Sequence, residues 1–362
     1  MRIGLYDPYL DTLSGGEKYM LTMAACLSEN NEVSILWDDA SIIKKAYNKL
    51  RIDLSKVKIE QNIFSPKISL FKRLLLTKKY DYLIILSDGS IPLTLAKKTI
   101  LHFQFPVEWV KGNDYKTKIK LSKIQTVICN SVFTKKFIDK KFNIKSTTLY
   151  PPTIKESDIN KFEKQKEADK KNIILTVGRY SPLPDGSSIK KQEKLIEVFK
   201  KMTDDGLKNW QFYLAVSCLP ENEKHLANLE KIAKNYPIKI IKNSNYDELT
   251  KLYSQAKIYW HAAGFQENLK KYPELAEHFG ITTVEAMAQR VVPVVIDKGG
   301  QKEIVEDNIN GFLWETEDEL KEKTKKLMID EKLREQMGNL AAKKAKQFTT
   351  EKFGAELLKI IT

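Results

Sequence analysis

The sequence predicts two doubly wound α/β domains in one chain of 362 residues. Short runs rich in β-branched and aromatic residues alternate with helical stretches along the whole chain. This alternation is typical of a parallel sheet that helices cover on both faces. The length suits two domains of about 100–200 residues each. The alternation also restarts after Pro151 and Pro152, because two prolines fit neither a helix nor a central strand.

Each half of the chain contributes six predicted strands. In the first half they are RIGLY (2–6), EVSILW (32–37), KVKIE (56–60), YLIILS (82–87), TILHFQF (99–105) and TVICNS (126–131). In the second half they are NIILTVG (172–178), WQFYLAV (210–216), IKIIK (238–242), AKIYWHA (256–262), VVPVVID (291–297) and GFLWE (311–315). The clearest predicted helices of the first half cover 16–27 and 133–142, and those of the second half cover about 191–202, 221–235, 247–254 and 282–288.

We therefore expect a Rossmann-like domain at residues 1–152 and a second one at 153–345. A C-terminal helix at 346–362 is expected to cross back to the first domain. The charged stretch 155–171 is predicted to be a linker or an exposed helix. Open α/β sheets bind ligands at the carboxyl ends of their strands, so the loops that follow strands are the place to look for chemistry.

The net charge of +14 is concentrated in the first half of the chain. Residues 1–150 contain 25 basic and 14 acidic residues, a net charge of +11, whereas the remainder contains 36 and 33, a net charge of +3. The first half is therefore expected to meet an anionic partner such as phospholipid head groups, a lipid phosphate or nucleic acid. A lysine-rich composition that only keeps the protein in solution explains the charge equally well.

The cysteines and the apolar runs bear on location. Cys26, Cys129 and Cys218 are odd in number and far apart, which argues against a disulfide framework or a zinc site and indicates a reducing compartment. The N-terminus leads straight into a strand, so no signal peptide is expected, and no apolar run reaches the roughly 20 residues that span a membrane. We expect a cytoplasmic protein, with a peripheral position on the inner face of a membrane as a further option.

Two loops after strands carry residues suited to phosphate. Gly15 and Gly16 stand directly before the first helix, where backbone N–H groups favour an anion, although a plain turn is the alternative. Arg179 follows the strand at 172–178, and Lys190 and Lys191 open the next helix. An arginine and a lysine so placed could clamp a diphosphate, with solvated surface charges as the alternative.

The most informative segment is EHFGITTVEAMA at residues 277–288. Glu277 and Glu285 stand eight positions apart, and Gly280 permits an unusual turn before a helix that Thr282 or Thr283 can cap. The helix N-terminus can bind a phosphate. The glutamate one turn further can accept hydrogen bonds from a ribose, and the glutamate before the turn can reach a hexose. Two exposed glutamates would also satisfy this spacing.

A glycine pair and two histidines complete the candidates. The segment Asp297-Lys298-Gly299-Gly300 follows a strand and either shapes a sugar pocket or forms a turn. His102 and His261 lie in apolar strands, where a histidine is more often a core residue. No cluster of histidines, cysteines and carboxylates has metal-ligand spacing, so neither a metal nor another cofactor is expected.

Together these segments resemble glycosyltransferase family 4, a group of retaining enzymes with the two-domain GT-B fold. The resemblance rests on the two glutamates with Phe279-Gly280 between them, followed by PVV and GGQKEIVEDNINGFLW. It extends over nearly the whole chain through Gly15-Gly16, NSVFTKKF, YPP, Gly178-Arg179 and a lysine before LIEVF. It implies two Rossmann-like domains facing a central cleft, the first binding the acceptor and the second a nucleotide-sugar.

The resemblance also implies roles for individual residues. Arg179 and Lys190, with Lys191 as the near alternative, would neutralise the donor diphosphate and so stabilise the leaving group. Glu285 would bind the ribose of the nucleotide, and Glu277 would contact the transferred sugar. The resemblance further implies that His102 lies near the reacting carbon. It also implies that backbone groups of the remaining residues surround the sugar and the phosphates: Gly15, Gly16, Phe279, Gly280, Ile281, Thr282 and Thr283.

Within the family, the segments LHFQFP, YWHAAGFQEN and PELAEHFGITTVEAM are most similar to one subgroup. Its eukaryotic member adds α-1,2-mannoses to the dolichol-linked oligosaccharide. This similarity implies GDP-mannose as the donor and a glycan or polyprenyl-linked glycan as the acceptor. The alternatives within enzymes are a UDP-sugar donor with a soluble acceptor and a sugar-nucleotide epimerase of the same architecture.

The basic first half leaves two further interpretations. The segment ISLFKRLLLTKK (68–79) can form an amphipathic helix on an anionic membrane surface, or an ordinary helix that packs on the sheet. A nucleic-acid-binding protein is the alternative from another class. It would need a basic stripe with interleaved aromatic residues or a known motif, and the sequence has neither, so no nucleic acid partner is expected.

Overall fold

The computed structural model describes residues 1–162 and 169–361. These residues form two compact units. Unit 1 comprises Met1–Pro152 and Thr350–Thr362, and unit 2 comprises Thr153–Thr349. Each unit is built on one sheet whose recorded strand pairs are all parallel.

Unit 1 contains a seven-stranded sheet. Its strands are β1 (Arg2–Tyr6), β2 (Glu32–Leu36), β3 (Val57–Glu60), β4 (Tyr82–Leu86), β5 (Lys98–Phe103), β6 (Thr126–Cys129) and β7 (Thr147–Thr148). They lie in the order β3-β2-β1-β4-β5-β6-β7. The helices before Pro152 are α1 (Gly15–Ser28), α2 (Ile42–Leu50), α3 (Leu70–Thr77), α4 (Tyr115–Leu121) and α5 (Val132–Phe142).

Unit 2 contains a six-stranded sheet. Its strands are β8 (Ile173–Arg179), β9 (Gln211–Ser217), β10 (Ile238–Lys242), β11 (Ile258–His261), β12 (Val292–Ile296) and β13 (Phe312–Trp314). They lie in the order β10-β9-β8-β11-β12-β13. The helices are α6 (Glu156–Phe162), α7 (Gln192–Asp204), α8 (Glu223–Ala233), α9 (Tyr246–Gln255), α10 (Ile281–Ala288), α11 (Gln301–Ile304), α12 (Glu317–Ile329) and α13 (Glu331–Ala345).

The twelve predicted strands are all present, and each begins and ends within two residues of its predicted position. Strands β4 and β12 are buried at every position, as expected for central strands with helices on both faces. Such strands form near-continuous apolar runs, which is why the sequence reveals them. Strand β7 was not predicted, because two residues at the edge of a sheet leave no pattern to recognise.

The C-terminal helix α14 (Thr350–Ile361) belongs to unit 1, where it packs beside α1. Its Leu357 is fully buried, and the hydroxyl of Tyr82 donates a hydrogen bond to the carbonyl of Ile361 at 2.6 Å. The change of unit falls at Thr350, so the predicted boundary at residue 346 is corrected. Residues 346–349 stay in unit 2, where the ring of Phe348 packs edge-on against Phe279 with centroids 5.2 Å apart.

The docking of α14 on unit 1 can be tested with two adjacent leucines. Leu357→Ala should lower the free energy of unfolding by about 2–5 kcal/mol, because it leaves a cavity in the core. Leu358 is 41% exposed on the same helix, and Leu358→Ala should change that free energy by less than about 1 kcal/mol. Urea unfolding followed by circular dichroism measures both. Equal effects of the two substitutions would contradict the docked helix.

Candidate functional site

The strand order of unit 2 reverses between β8 and β11, which is the position where open α/β sheets bind ligands. Arg179 ends β8, and His261 ends β11. The loop after β8 leads to Lys190, and the loop after β11 leads to Glu277 and helix α10. The predicted site residues of the second half therefore come together at one edge of one sheet.

The long loop after β8 folds back on itself as a hairpin. The N–H of Ile189 donates to the carbonyl of Ser181 at 3.0 Å, and the N–H of Leu183 donates to that of Ser187 at 2.7 Å. The hairpin returns the chain to the strand end, where a Cβ atom on Gly178 would stand 3.4 Å from Cγ of Lys190. The long loop therefore does not carry the lysine away from the sheet.

Glu277 is the centre of the site. Its Oε2 accepts hydrogen bonds from Lys190 Nζ at 2.6 Å and from His261 Nε2 at 2.8 Å. The N–H of Ala263 points to the other ring nitrogen of His261, Nδ1, at 3.4 Å, which places the ring proton on Nε2. The Glu277 side chain is only 16% exposed. A carboxylate is thus held in a largely buried position by one cation and one neutral donor.

The surroundings of Glu277 fix its charge. Burial alone would raise the pKa of its carboxyl group, but the charge of Lys190 and the hydrogen bond from His261 outweigh burial and hold that pKa well below its ordinary value. Burial lowers the pKa of His261, so its imidazole is neutral at pH 7. Glu277 is therefore a carboxylate throughout the physiological pH range and can only accept hydrogen bonds.

The two neighbouring lysines point to different partners. Lys191 has a left-handed backbone (φ +54°), and its Nζ lies 2.5 Å from Glu267 Oε1. The structure thus brings Lys190, and not Lys191, to Glu277. Arg179 is exposed at the end of β8, and its carbonyl accepts a hydrogen bond from Gln192 Nε2 at 3.2 Å. Arg179 is therefore exposed at the strand end, and its role toward a diphosphate stays a prediction.

Helix α10 begins directly after Gly280, whose φ of +118° favours glycine. A Cβ atom there would also lie 3.0 Å from Gln301 Nε2. The N–H groups of Ile281 and Thr282 precede the first intrahelical hydrogen bonds, and such groups are suited to bind an anion. The ring of Phe279 is buried, so only its backbone can take part in such a site.

Two tyrosines orient the side chains of α10. The hydroxyl of Tyr259 shares a hydrogen bond of 2.7 Å with Thr282 Oγ1. Thr283 is fully buried, so its side chain lies in the core. Glu285, one turn into the helix, accepts a hydrogen bond from the hydroxyl of Tyr253 at 3.1 Å. Burial keeps the pKa of Tyr253 well above its ordinary value, so this phenol remains a donor that orients the Glu285 carboxylate.

The glycine pair after β12 shapes the backbone that carries Glu277. The N–H of Gly300 donates to the carbonyl of Glu277 at 2.7 Å. A Cβ atom on Gly299 would stand 2.3 Å from the carbonyl oxygen of Glu277. A Cβ atom on Gly300 would stand 2.4 Å from the carbonyl oxygen of His278. Only glycine permits this approach. An open depression of about 400 Å³ adjoins the pair and is lined by Glu267, Asn268, Leu269, Lys270, Lys298 and Gly299.

In unit 1, Glu17 organises the predicted glycine loop. Its Oε2 accepts hydrogen bonds from the N–H and the hydroxyl of Ser14 at 2.6 and 2.7 Å, and Gly15 and Gly16 follow as the first residues of α1. A Cβ atom on Gly16 would stand 2.3 Å from Gln104 Oε1, and Gln104 Nε2 donates to the carbonyl of Gly16 at 3.0 Å. The Gly16 backbone thus contacts a neighbouring side chain, and its role toward a phosphate stays a prediction.

His102 lies inside unit 1. It is fully buried in β5, and its ring stacks on that of Tyr19 with centroids 4.1 Å apart. Burial lowers its pKa to about 3, so the ring is neutral at pH 7. The structure therefore places this histidine in the core, and its contact with a reacting sugar stays a prediction.

The sequence patterns did not indicate the residues that hold the two glutamates. Tyr253 lies 32 positions from Glu285, and His261 lies 16 positions from Glu277, so packing between elements brings each pair together. The one available signal was that His261 ends a strand. In residues 1–162 and 169–361 no three histidine, cysteine or acidic side chains are grouped to hold a metal ion.

Two comparisons with known sequences bear on this site. A family model described as glycosyl transferases group 1 matches residues 157–344, which is more than half of the chain. The human protein named Alpha-1,3/1,6-mannosyltransferase ALG2 is 22% identical over 284 residues. That match covers 72% of this chain but only 62% of the human protein.

Solved structures resemble the chain over its whole length. HepE from Anabaena, in complex with UDP and glucose, has a TM-score of 0.70 at 18% identity and covers 100% of this chain and 99% of its own. A glycosyltransferase from Rickettsia africae has a TM-score of 0.74 at 18% identity, with 99% and 97% covered. WaaG, a glycosyltransferase involved in lipopolysaccharide biosynthesis, has a TM-score of 0.64 at 13% identity, and the match covers 100% of this chain and 100% of WaaG. The predicted GT-B class of two Rossmann-like domains is confirmed.

The ion pair at Glu277 can be tested by its effect on stability. Lys190→Met should lower the free energy of unfolding at pH 7 by about 2 kcal/mol, because it leaves a buried carboxylate without its counter-ion; partial exposure of Lys190 keeps the loss below that of a fully buried pair. Adding Glu277→Gln should recover most of this loss. Urea unfolding of the single and double variants measures both.

The same loss should depend on pH with a defined sign. The lowered folded-state pKa of Glu277 contributes stability above its unfolded value of about 4.3 and loses that contribution as pH falls through the folded value. The difference between the wild type and Lys190→Met should therefore shrink as pH falls below about 4.3 toward the folded-state pKa of Glu277. A difference that stays constant, or a double variant as unstable as the single one, would contradict the ion pair.

Proposed function

We propose that this chain, which belongs to the glycosyl transferases group 1 family, moves a hexose from a nucleotide-sugar to an acceptor with retention of configuration, as family 4 enzymes do. One observation carries the proposal. A carboxylate fixed by Lys190 and His261 stands at the reversal of strand order, just before the open N-terminus of α10. GDP-mannose is the proposed donor, because the human relative is named as a mannosyltransferase.

The charges of the site suit the departure of a nucleoside diphosphate. Transfer breaks the bond between the anomeric carbon and the donor phosphate, and the leaving diphosphate gains negative charge. Arg179, Lys190 and the N–H groups at the start of α10 would stabilise that charge. Lys190 is already held by its contact with Glu277, so this cation needs little rearrangement when the donor binds. Stabilisation by such fixed charges is the main contribution of the chain to the reaction.

The two glutamates divide the recognition of the donor. Glu277 would accept hydrogen bonds from hydroxyl groups of the hexose, which a carboxylate that is ionised at neutral pH does well. Glu285 would accept them from the ribose, with its carboxylate oriented by Tyr253. Neither glutamate would contact the nucleotide base, so these contacts alone do not distinguish a GDP-sugar from a UDP-sugar.

A UDP-sugar donor with a soluble acceptor is the second candidate. HepE was solved with UDP and glucose, and it matches this chain over its full length. At 18% identity the likeness carries the fold and not the donor. The two candidates share the roles of Arg179, Lys190, Glu277 and Glu285, and they differ in the base, the sugar and the acceptor.

The proposed acceptor is a glycan or a polyprenyl-linked glycan at an anionic membrane surface. Helix α3 lies inside the predicted amphipathic segment, and its Leu70, Phe71 and Leu75 are each more than half exposed. An exposed apolar row flanked by lysines is typical of a helix that lies on a membrane. None of the described helices is long and apolar enough to cross a bilayer. Contact with the membrane would therefore be peripheral.

The donor can be identified by thermal stabilisation with GDP, GDP-mannose, UDP and UDP-glucose. A nucleotide at about 100 times its Kd should add roughly 2.7 kcal/mol to the free energy of unfolding. Glu285→Gln should remove this gain, whereas Glu221→Gln, an exposed glutamate of unit 2, should keep it. Stabilisation by guanine nucleotides supports mannose transfer, and stabilisation by uracil nucleotides alone supports the second candidate. No stabilisation by any of the four contradicts the transferase proposal.

Membrane contact can be tested by sedimentation with vesicles of phosphatidylcholine and phosphatidylserine. The double variant Phe71→Ser, Leu75→Ser should bind about tenfold more weakly, because two apolar side chains no longer enter the interface. Ile329→Ser, which alters an apolar side chain of unit 2 that is 85% exposed, should bind as the wild type does. Equal binding of all three proteins would exclude α3 as the contact.

A further inference from the structure

A second cavity lies in unit 1, at the reversal of its strand order between β1 and β4. It measures about 380 Å³, within the range of small-ligand sites, and it includes Tyr6 and Leu86, the last residues of these two strands. Gly89, with a φ of +106°, lets one wall close on Val110, because a Cβ atom there would stand 2.5 Å from Val110 Cγ1. The predicted donor-site residues do not line this cavity.

The charged side chains of this cavity are three cations and one carboxylate. The cations are Arg73, Lys111 and Lys120, and the carboxylate is Asp88. None of the three cations forms an ion pair within the described part of the chain, although ion pairs are common elsewhere on the surface. Three positive charges against one negative charge around a small cavity indicate an anionic ligand.

Arg73 is held in a defined orientation. Its Nε donates to the carbonyl of Ile63 at 3.2 Å, and its guanidinium lies over the ring of Phe64, 5.4 Å from the centroid. Phe64 in turn stacks on Tyr6 with centroids 4.4 Å apart. The backbone contact uses Nε, so the two terminal nitrogens are the ones suited to a bidentate contact with phosphate oxygens.

Asp88 and the aromatic pair add a second kind of recognition. Asp88 Oδ1 accepts a hydrogen bond from the N–H of Ser90 at 3.0 Å, which orients the carboxylate. A carboxylate would repel an isolated phosphate, but it accepts hydrogen bonds from sugar hydroxyls. The stacked rings of Tyr6 and Phe64 offer an apolar face beside these polar groups. The ligand that matches all of these groups is a phosphate joined to a sugar.

We infer that this cavity binds the acceptor through a phosphate group next to its sugar, with Arg73, Lys111 and Lys120 around the phosphate and Asp88 toward the sugar hydroxyls. The inference rests on the proposed transferase function and adds that the acceptor is phosphorylated. A soluble sugar phosphate and the phosphate of a lipid-linked glycan share this chemistry. A lipid-linked glycan would fit the structure of α3, because this helix carries both Arg73 and the exposed apolar row that could contact the membrane.

Residue-resolved lysine acetylation of the intact chain, read by mass spectrometry, tests the inference directly. Mannose 1-phosphate at about ten times its Kd should slow modification of Lys111 and Lys120 about tenfold, whereas mannose should not. Lys118 is the internal control. It is exposed on the same helix as Lys120, and two residues apart on a helix the side chains point to different sides. Lys190 in the same experiment reports any binding to unit 2.

Vesicles distinguish the two sources of the phosphate. If the source is a lipid, phosphatidic acid in phosphatidylcholine vesicles should protect Lys111 and Lys120, and phosphatidylserine at equal charge should not. Protection by either mannose 1-phosphate or phosphatidic acid supports the inference and names the source. Protection by neither, equal protection by mannose, or protection of Lys190 alone overturns it.

A pair of variants with the same change in charge completes the test. Arg73→Gln should weaken binding of the protecting ligand by about tenfold or more in calorimetry, whereas Lys118→Gln should leave it unchanged. Equal effects of the two would mean that only net charge matters and would overturn the assignment of the cavity. Glu285→Gln should keep this binding, so failure of the phosphate site and failure of the donor site remain distinguishable.

Discussion

The site of unit 2 depends on one buried contact, in which Glu277 receives Lys190 at 2.6 Å and His261 at 2.8 Å. A carboxylate in this position is costly unless it is paired, so the end of β11, the hairpin after β8 and the segment before α10 have to meet at one point. The glycine pair after β12 permits that meeting, because its backbone touches the carbonyls of Glu277 and His278 where a Cβ atom would collide. The same contact places an ionised carboxylate, which accepts hydrogen bonds, and the oriented cation of Lys190 close to the N-terminus of α10.

The two units repeat one architecture and differ in the charge they place at the reversal of strand order. Unit 2 presents a balanced set of cations and carboxylates, which suits a donor with both hydroxyl and phosphate groups. Unit 1 presents Arg73, Lys111 and Lys120 around one cavity with Asp88 as the single acid. Part of the excess positive charge in the first 150 residues therefore lies around this one cavity. Any general effect of that charge on solubility is additional.

The sequence was most informative where burial imposes a pattern. Strands β4 and β12 are buried at every position, so their apolar runs are visible without a structure. The sequence also predicted the turn at Gly280 and the helix after it, which carries Glu285, because a turn before a helix needs particular residues. The partners of these glutamates were not readable, since His261 and Tyr253 reach them through packing between separate elements. His102 shows the same limit: an apolar strand does not reveal whether its histidine faces the core or the ligand edge.

The most direct test of the donor site is carbon-13 NMR of the Glu277 carboxyl group, with glutamate-specific labelling and Glu277→Gln for assignment. We predict a signal that remains that of a carboxylate as pH falls to about 4, because Lys190 and His261 lower its pKa. We also predict that the sugar-bearing nucleotide moves this signal, whereas the same nucleotide without the sugar moves it much less. A carboxyl group that titrates at its ordinary pKa, or one that responds equally to both nucleotides, would contradict the account.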